Sequence, residues 1–366
     1  MREVLITNAA VSYDVIGGAS KAIDDIADQL TKEFDKINIF VPNRSGIDKP
    51  SREDISPKIT IFRYKYSHKL RVLNPIFAFI AYFKFFKFKK FELIWGNSPE
   101  PWLYIPKNSK KKIYTVHGPW KTESNLDKSN TNRLRERLID FAYSFILKTN
   151  TLFHFQSDYV FNACLQENSR FKNIKKIIIP VLLNEQKLLS MHLDAQRDNS
   201  DQISILVARR LVNRTGVKEF INLTDGFGHM LKITIIGDGY QAAEIQNMII
   251  DRPDIRFLGK VEDSILYREI IKCDLVCMPS LDAEGFGASI LQALFLLRPV
   301  LYTNIGGMKE FLNQNPDCFS FDPYNRADFK NLLQRISELK NSEKLNVNLS
   351  NIHYSFSDNL IKVINA

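Results

Sequence analysis

The sequence predicts an α/β protein of two domains, and three observations carry that prediction. The length of 366 residues gives two domains of ordinary size, each able to bury its own core. Short apolar runs alternate with amphipathic helical stretches in both halves, as in parallel sheets covered by helices. Residues 279–307, PSLDAEGFGASILQALFLLRPVLYTNIGG, read as a strand end, a glycine-bearing loop, a buried helix and the next strand. In an open α/β sheet ligands bind outside the carboxyl ends of the strands, so this loop offers Glu284 as a hydrogen-bond acceptor. It also offers the amides of Phe286, Gly287 and Ala288, at a helix N-terminus, to an anion.

Composition narrows the class further. The chain has the makeup of a soluble globular protein, and no apolar run approaches the roughly 20 residues that span a membrane. It opens directly on a strand, so no signal peptide is expected. Cys164, Cys273, Cys277 and Cys318 lie far apart or inside apolar runs and form no metal-type cluster. They are expected to be reduced core residues of a cytoplasmic protein, with no metal site. The net charge of +9 favours an anionic partner, either a nucleotide, an acidic membrane or a nucleic acid.

In the first half, residues 4–7, 37–41, 59–62, 91–95, 111–116, 151–155 and 175–179 read as strands. The pair Gly17-Gly18 precedes an amphipathic helix running to about Phe34, and a glycine pair there lets backbone amides approach a phosphate. His117-Gly-Pro-Trp stands at a strand's carboxyl end, and Ser157 is placed to cap a helix. Between Asp54 and Glu92 there is no acidic residue, while Lys84, Lys87, Lys89 and Lys90 interleave with phenylalanines. A basic aromatic helix over residues 69–91 suits an anionic lipid interface, and it equally suits packing on the sheet with its lysines outward. Nucleic acid is the weaker third partner and is set aside.

Residues 194–202 are polar, which puts a linker over 184–202 between a domain at 1–183 and one at 203–345. The second domain opens with a strand at 203–208, followed by Arg209-Arg210-Leu-Val-Asn-Arg214-Thr215-Gly. A strand at 231–236 ends in Gly237-Asp-Gly, and helices are expected over about 263–271, 328–339 and the terminal segment within 346–366.

These residues resemble glycosyltransferase family 4, retaining group 1 enzymes of the GT-B fold. The match rests on Pro279-Ser280, Glu284-Gly285-Phe286-Gly287, Pro299-Val300, Gly306-Gly307 and Glu310. Arg210-Leu211, Gly237 and Gly239, residues 255–259 and the His117 loop extend it. The resemblance implies two doubly wound Rossmann-like domains facing a central cleft, with the terminal helix crossing back to the first. It implies sugar transfer from a nucleotide-sugar to an acceptor hydroxyl with retention, without metal or cofactor, the leaving phosphate helping to deprotonate the acceptor.

The family roles fall on particular residues. Arg210, helped by Arg214, would hold the diphosphate, where charge builds as the bond breaks. Glu284 would accept from sugar hydroxyls, and His117 would touch the sugar from the first domain. Gly17, Gly18, Gly237, Gly285, Phe286 and Gly287 would line the donor. Two positions depart: Thr215 stands where the family has Lys, and Gln292 where it has a second Glu that meets the ribose. The expected acceptor is a glycan or a lipid-linked molecule of bacterial surface polysaccharide assembly, reached from the inner face of the cell membrane. The departures leave a rival reading, a catalytically silent GT-B protein that binds a partner or glycan.

Overall fold

Two sheets organise the chain, one in each of two compact units. The computed structural model describes every residue except 9–17, 44–48, 68–72, 88, 98–101, 103–108, 120–132, 191–195, 199 and 283. For residues 18–21 and 133–139 it describes the backbone alone. One unit holds Met1–Trp120, Ser129–Asn184 and Phe356–Ala366, and the other holds Glu185–Ser355.

The first unit is built on β1 (Glu3–Thr7), β2 (Lys36–Asn43), β3 (Arg52–Asp54), β4 (Ile59–Lys65), β5 (Leu93–Gly96), β6 (Lys111–Val116), β7 (Leu152–Phe155) and β8 (Lys175–Ile178). Their order is β3-β4-β2-β1-β5-β6-β7-β8, parallel except for the β3–β4 edge pair. Both faces of the sheet are covered, so β1 and the middle of β2 are continuously buried, as their unbroken apolar runs require. The polar exception, Asn38, is satisfied by its neighbours: its amide donates to Glu3 Oε2 and to the Val4 carbonyl, each at 3.1 Å. β3 is polar and carries no apolar signature, which is why the sequence does not announce it.

Helices α1 (Gly18–Leu30), α2 (Asn74–Phe86), α3 (Arg133–Ile146) and α4 (Asp158–Glu167) belong to this unit, and so does the terminal helix Phe356–Asn365. α1 stops short of Phe34, and turns complete the stretch. Ser157 caps α4, its hydroxyl accepting from the Val160 amide at 3.2 Å.

α2 departs from the expectation of one basic helix over 69–91. Pro75 sits in its first turn, where a missing amide costs nothing. Lys87 takes φ 47° and ends it, so Lys87, Lys89 and Lys90 lie beyond the helix rather than along it. Ala78, Tyr82 and Phe86 face the sheet, with the Phe86 ring 4.8 Å from Phe62 and 5.7 Å from Phe40. On the opposite side Ile76, Phe79 and Ile80 are 53%, 46% and 59% exposed.

The second unit is a parallel sheet of β9 (Ile203–Ala208), β10 (Leu231–Ile236), β11 (Ile255–Gly259), β12 (Leu275–Met278), β13 (Val300–Thr303) and β14 (Phe319–Phe321). The order is β11-β10-β9-β12-β13-β14. The helices are α5 (Glu185–Leu189), α6 (Val217–Leu223), α7 (Ala242–Met248), α8 (Asp263–Lys272), α9 (Ala288–Phe295), α10 (Met308–Leu312) and α11 (Arg326–Asn341). α5 falls inside the stretch expected as a linker, and its Leu188 is buried.

Ile205, Val207, Ile233, Leu275 and Leu301 of the strands pack with Phe220 and Phe329 of the helices. Asp274 is wholly buried there, and its charge is met: Oδ2 accepts from the Ser204 amide at 2.8 Å, the Ser204 hydroxyl at 2.9 Å and Lys340 Nζ at 2.7 Å, while Oδ1 lies 3.6 Å from Arg197 Nε. The strand order reverses between β9 and β12, so the loops leaving these neighbours run in opposite directions and open a crevice at their carboxyl ends.

Candidate functional site

That crevice holds an ion pair in which both side chains are about nine-tenths buried. Arg209 follows β9, and its guanidinium pairs with Glu284 Oε2 from the loop after β12; the side chains are 9% and 10% exposed. Ser280 joins them, accepting from Arg209 Nη2 at 2.9 Å and donating to Glu284 Oε2 at 3.1 Å. Burial alone would raise the Glu284 carboxyl, but Arg209, its hydrogen bond, Arg214 and Ser280 together hold it below its ordinary value. Glu284 is therefore a carboxylate at neutral pH.

Main-chain contacts fix this loop. The Glu284 carbonyl accepts from the Gly307 amide at 2.9 Å, and Gly306, at φ 58°, lies so close that a Cβ would come within 2.3 Å of that carbonyl oxygen. The Leu281 amide donates to the Arg214 carbonyl at 2.8 Å, tying the loop after β12 to the loop after β9. On the other side a Cβ on Gly237 would meet the Arg209 carbonyl oxygen at 1.8 Å, so only glycine lets the loop after β10 pass there.

The expected residues sort as follows. Glu284, Gly285, Phe286 and Gly287 line one continuous loop into α9, with Gly287 at φ 87° starting the helix. Phe286 is a packing residue, its buried ring 5.1 Å from Phe311. Arg210 is exposed, and it is its neighbour Arg209 that reaches Glu284. Arg214 acts on the Glu284 charge. Thr215 is buried, its hydroxyl 2.7 Å from both the Arg210 and the Val212 carbonyls, so it braces the loop. Gln292 is buried one turn into α9. Gly18 opens α1, while Gly17 lies outside the described residues.

In the first unit His117 follows β6 and faces Gln156, which follows β7, with the amide nitrogen 2.9 Å from Nδ1. Strand register explains the meeting. Thr115 pairs with His154 and Val116 with Phe155, so the next step along both strands brings His117 to Gln156 on the face shared by Thr115 and His154. Below them runs a satisfied network. Trp95 Nε1 donates to Thr115 Oγ1 at 2.8 Å, Thr115 Oγ1 lies 3.2 Å from His154 Nδ1, and His154 Nε2 donates to the Ile179 carbonyl at 2.9 Å.

Burial lowers both histidines to about 4, so both are neutral at pH 7. With the Gln156 amide donating to Nδ1, the His117 proton sits on Nε2, which is shielded from solvent and has no partner among the described residues. Among the described residues no three His, Cys, Asp or Glu side chains group to hold a metal ion.

Arg209 and Gln156 are the residues that sequence reasoning passed over. Gln156 was recoverable from strand register alone. For Arg209 the one available signal was a second arginine in the position where the family motif carries glycine.

Residues 192–354 match the family described as Glycosyl transferases group 1. An uncharacterised glycosyltransferase of Methanocaldococcus jannaschii is 28% identical over 125 residues, 34% of either chain, so the match spans about a third of that relative's length. Among solved structures, sucrose-phosphate synthase from Thermosynechococcus elongatus superposes with a TM-score of 0.74 at 14% identity, covering 100% of this chain and 94% of that one. Anabaena HepE in complex with UDP-glucose gives 0.70 at 15% identity, covering 100% and 99%. The chain has the GT-B fold, and its residues 192–354 are similar to group 1 glycosyl transferases.

Proposed function

We propose that the protein transfers a sugar from a nucleotide-sugar to an acceptor hydroxyl, with retention and without a metal. One observation carries the reading: an ionised, buried Glu284, flanked by Arg209 and Arg214, at the strand-order reversal of a group 1 glycosyl transferase domain. A carboxylate there accepts from sugar hydroxyls, and the cations and the N-terminus of α9 answer a diphosphate. No protein nucleophile is invoked: the leaving phosphate takes the acceptor's proton. The family resemblance assigns His117 to the donor sugar, and its unpartnered Nε2 is the atom it offers. Arg210, Gly17, Gly18, Gly237 and Gln292 keep their roles around the donor in this reading.

The acceptor is assigned to a lipid-linked or surface glycan on the strength of α2, whose exposed Ile76, Phe79 and Ile80 adjoin Lys84 and Lys87. Apolar side chains beside lysines suit the headgroup boundary of an anionic bilayer. Among the described residues no helix is long and apolar enough to cross a membrane.

The test is thermal unfolding with a panel of nucleoside diphosphates and nucleotide-sugars, since a ligand of the folded state raises Tm by mass action. A rise with one nucleotide, lost in Glu284→Gln when its sugar is attached, supports the transferase. No rise with any nucleotide would falsify it. A second reading, a silent partner-binding protein, draws on Thr215, whose hydroxyl is occupied by backbone, and on Arg209 already seated on Glu284. That reading predicts the second result.

A further inference from the structure

We infer that Arg209 is the positioning residue of the Glu284 site, and that it restricts the donor sugar by committing one carboxylate oxygen and leaving the other. The inference rests on the donor-site reading of this crevice and adds a selecting residue to it.

A carboxylate offers two oxygens, and a bare one captures a pair of hydroxyl donors. Here Oε2 already accepts from the Arg209 guanidinium and from the Ser280 hydroxyl. The arginine is held in place from several sides. Its amide donates to the Ile236 carbonyl at 2.9 Å, Nη1 approaches Met278 Sδ at 3.7 Å and Nη2 donates to Ser280. Ser280 is itself pinned, its carbonyl accepting from the Thr303 hydroxyl. Arg209 is thus part of the wall of the crevice. Its Nε, in contrast, is shielded from solvent and has no hydrogen-bond partner among the described residues. A buried donor left open in a side chain so firmly held points to a ligand oxygen.

Oε1 lies over the start of α9, where a Cβ on Gly287 would sit 3.3 Å from it. The pair therefore presents one acceptor, Oε1, beside guanidinium donors. It fits a sugar that offers a hydroxyl hydrogen and, next to it, an acceptor oxygen: a neighbouring hydroxyl turned to accept, an acetamido carbonyl or a carboxylate. A sugar whose two hydroxyls must both donate to the carboxylate is disfavoured. Thr215 and Arg210 do not compete for this role, the first being tied to backbone and the second exposed.

The deciding experiment is the titration of the Glu284 carboxyl by 13C NMR on protein labelled at glutamate, its signal identified by loss in Glu284→Gln. It is run on the full chain, on Arg209→Gly and on Arg209→Lys. The inference expects the Glu284 midpoint to rise in Arg209→Gly, where burial acts unopposed, and to rise less in Arg209→Lys, which keeps the charge without the fork. An unchanged midpoint in both variants overturns it, whatever the protein binds. The lysine variant decides alone if the glycine variant does not fold.

The binding arm uses UDP and UDP-sugars differing in the substituent beside one hydroxyl. Arg209→Gly is expected to weaken the preferred UDP-sugar by about tenfold or more while UDP alone changes by less than about threefold. Equal weakening of both overturns the inference, because it makes Arg209 a phosphate ligand. Absence of binding to the unaltered protein sinks the donor-site reading instead, and the carboxyl titration still decides whether Arg209 positions Glu284.

Discussion

The two units handle buried polar chemistry at their strand ends in opposite ways. In the second unit Arg209 and Glu284 stay charged, and each neutralises the other. In the first, His117 and His154 stay neutral, held there by burial, with partners that carry no charge: Gln156, Thr115 and the Ile179 carbonyl. An ion pair is a strong device that fails abruptly when one partner is lost, since the other is left as an uncompensated buried charge. A neutral network is weaker per contact and fails by degrees, but it is exposed to acid, which charges a group whose site was built for the neutral form.

The largest expected effect breaks the charged side. Arg209→Met should cost about 3–5 kcal/mol of stability by taking the paired guanidinium away from buried Glu284, and Arg209→Met with Glu284→Leu should recover most of it. Denaturant midpoints of the three proteins decide this, and a double variant no more stable than the single one contradicts it.

On the neutral side Thr115→Val removes the donor to His154 and the acceptor for Trp95, and should cost roughly 1–3 kcal/mol by the same assay. Acid then separates the units. Each histidine has a folded value of about 4, below the ordinary value of the unfolded chain, so the unfolded state binds more protons between the two. Stability is complete above about pH 6.5 and falls as pH drops towards 4, by at most about 1.4 kcal/mol per histidine per pH unit. His154→Gln should flatten that slope, whereas Glu284→Gln should leave it unchanged between about pH 5.5 and 6.5, above the range in which an ordinary carboxyl takes up protons.

The smallest effect on stability is expected at α2. Ile80→Asp should change stability by no more than about 0.5 kcal/mol, because the side chain is exposed, yet reduce sedimentation with anionic vesicles. Vesicle binding equal to that of the unaltered protein would remove the membrane assignment.

Much of this was legible in the sequence, for reasons that differ by residue. The strands of both sheets are apolar runs because parallel strands are buried on both faces, and the loop from Glu284 to Gly287 is marked by a local pattern. β3 is a polar edge strand without such a mark, and the end of α2 depends on one left-handed residue, Lys87. Arg209 and Arg210 are adjacent arginines after the end of a strand, so their side chains part ways. Which one enters the crevice is settled by the path of the chain, through the Leu211 amide bonded to the Asp238 carbonyl and Gly237 pressed on the Arg209 carbonyl. Those contacts join segments distant in sequence, and no spacing rule reports them. Gln156 belongs to no motif of its own, and only the register of β6 on β7 brings it to His117.

The close passages at Gly237 and Gly306 have an evolutionary consequence. They hold the loops by backbone against backbone, so the path of the main chain round the crevice is set apart from the side chains that project into it. Drift at positions 209 and 284 can then retune the ligand when the two charges change together, whereas the two glycines are closed to change. A library randomised jointly at positions 209 and 284, so that both charges can leave together, should yield more folded proteins than one randomised at the two glycines.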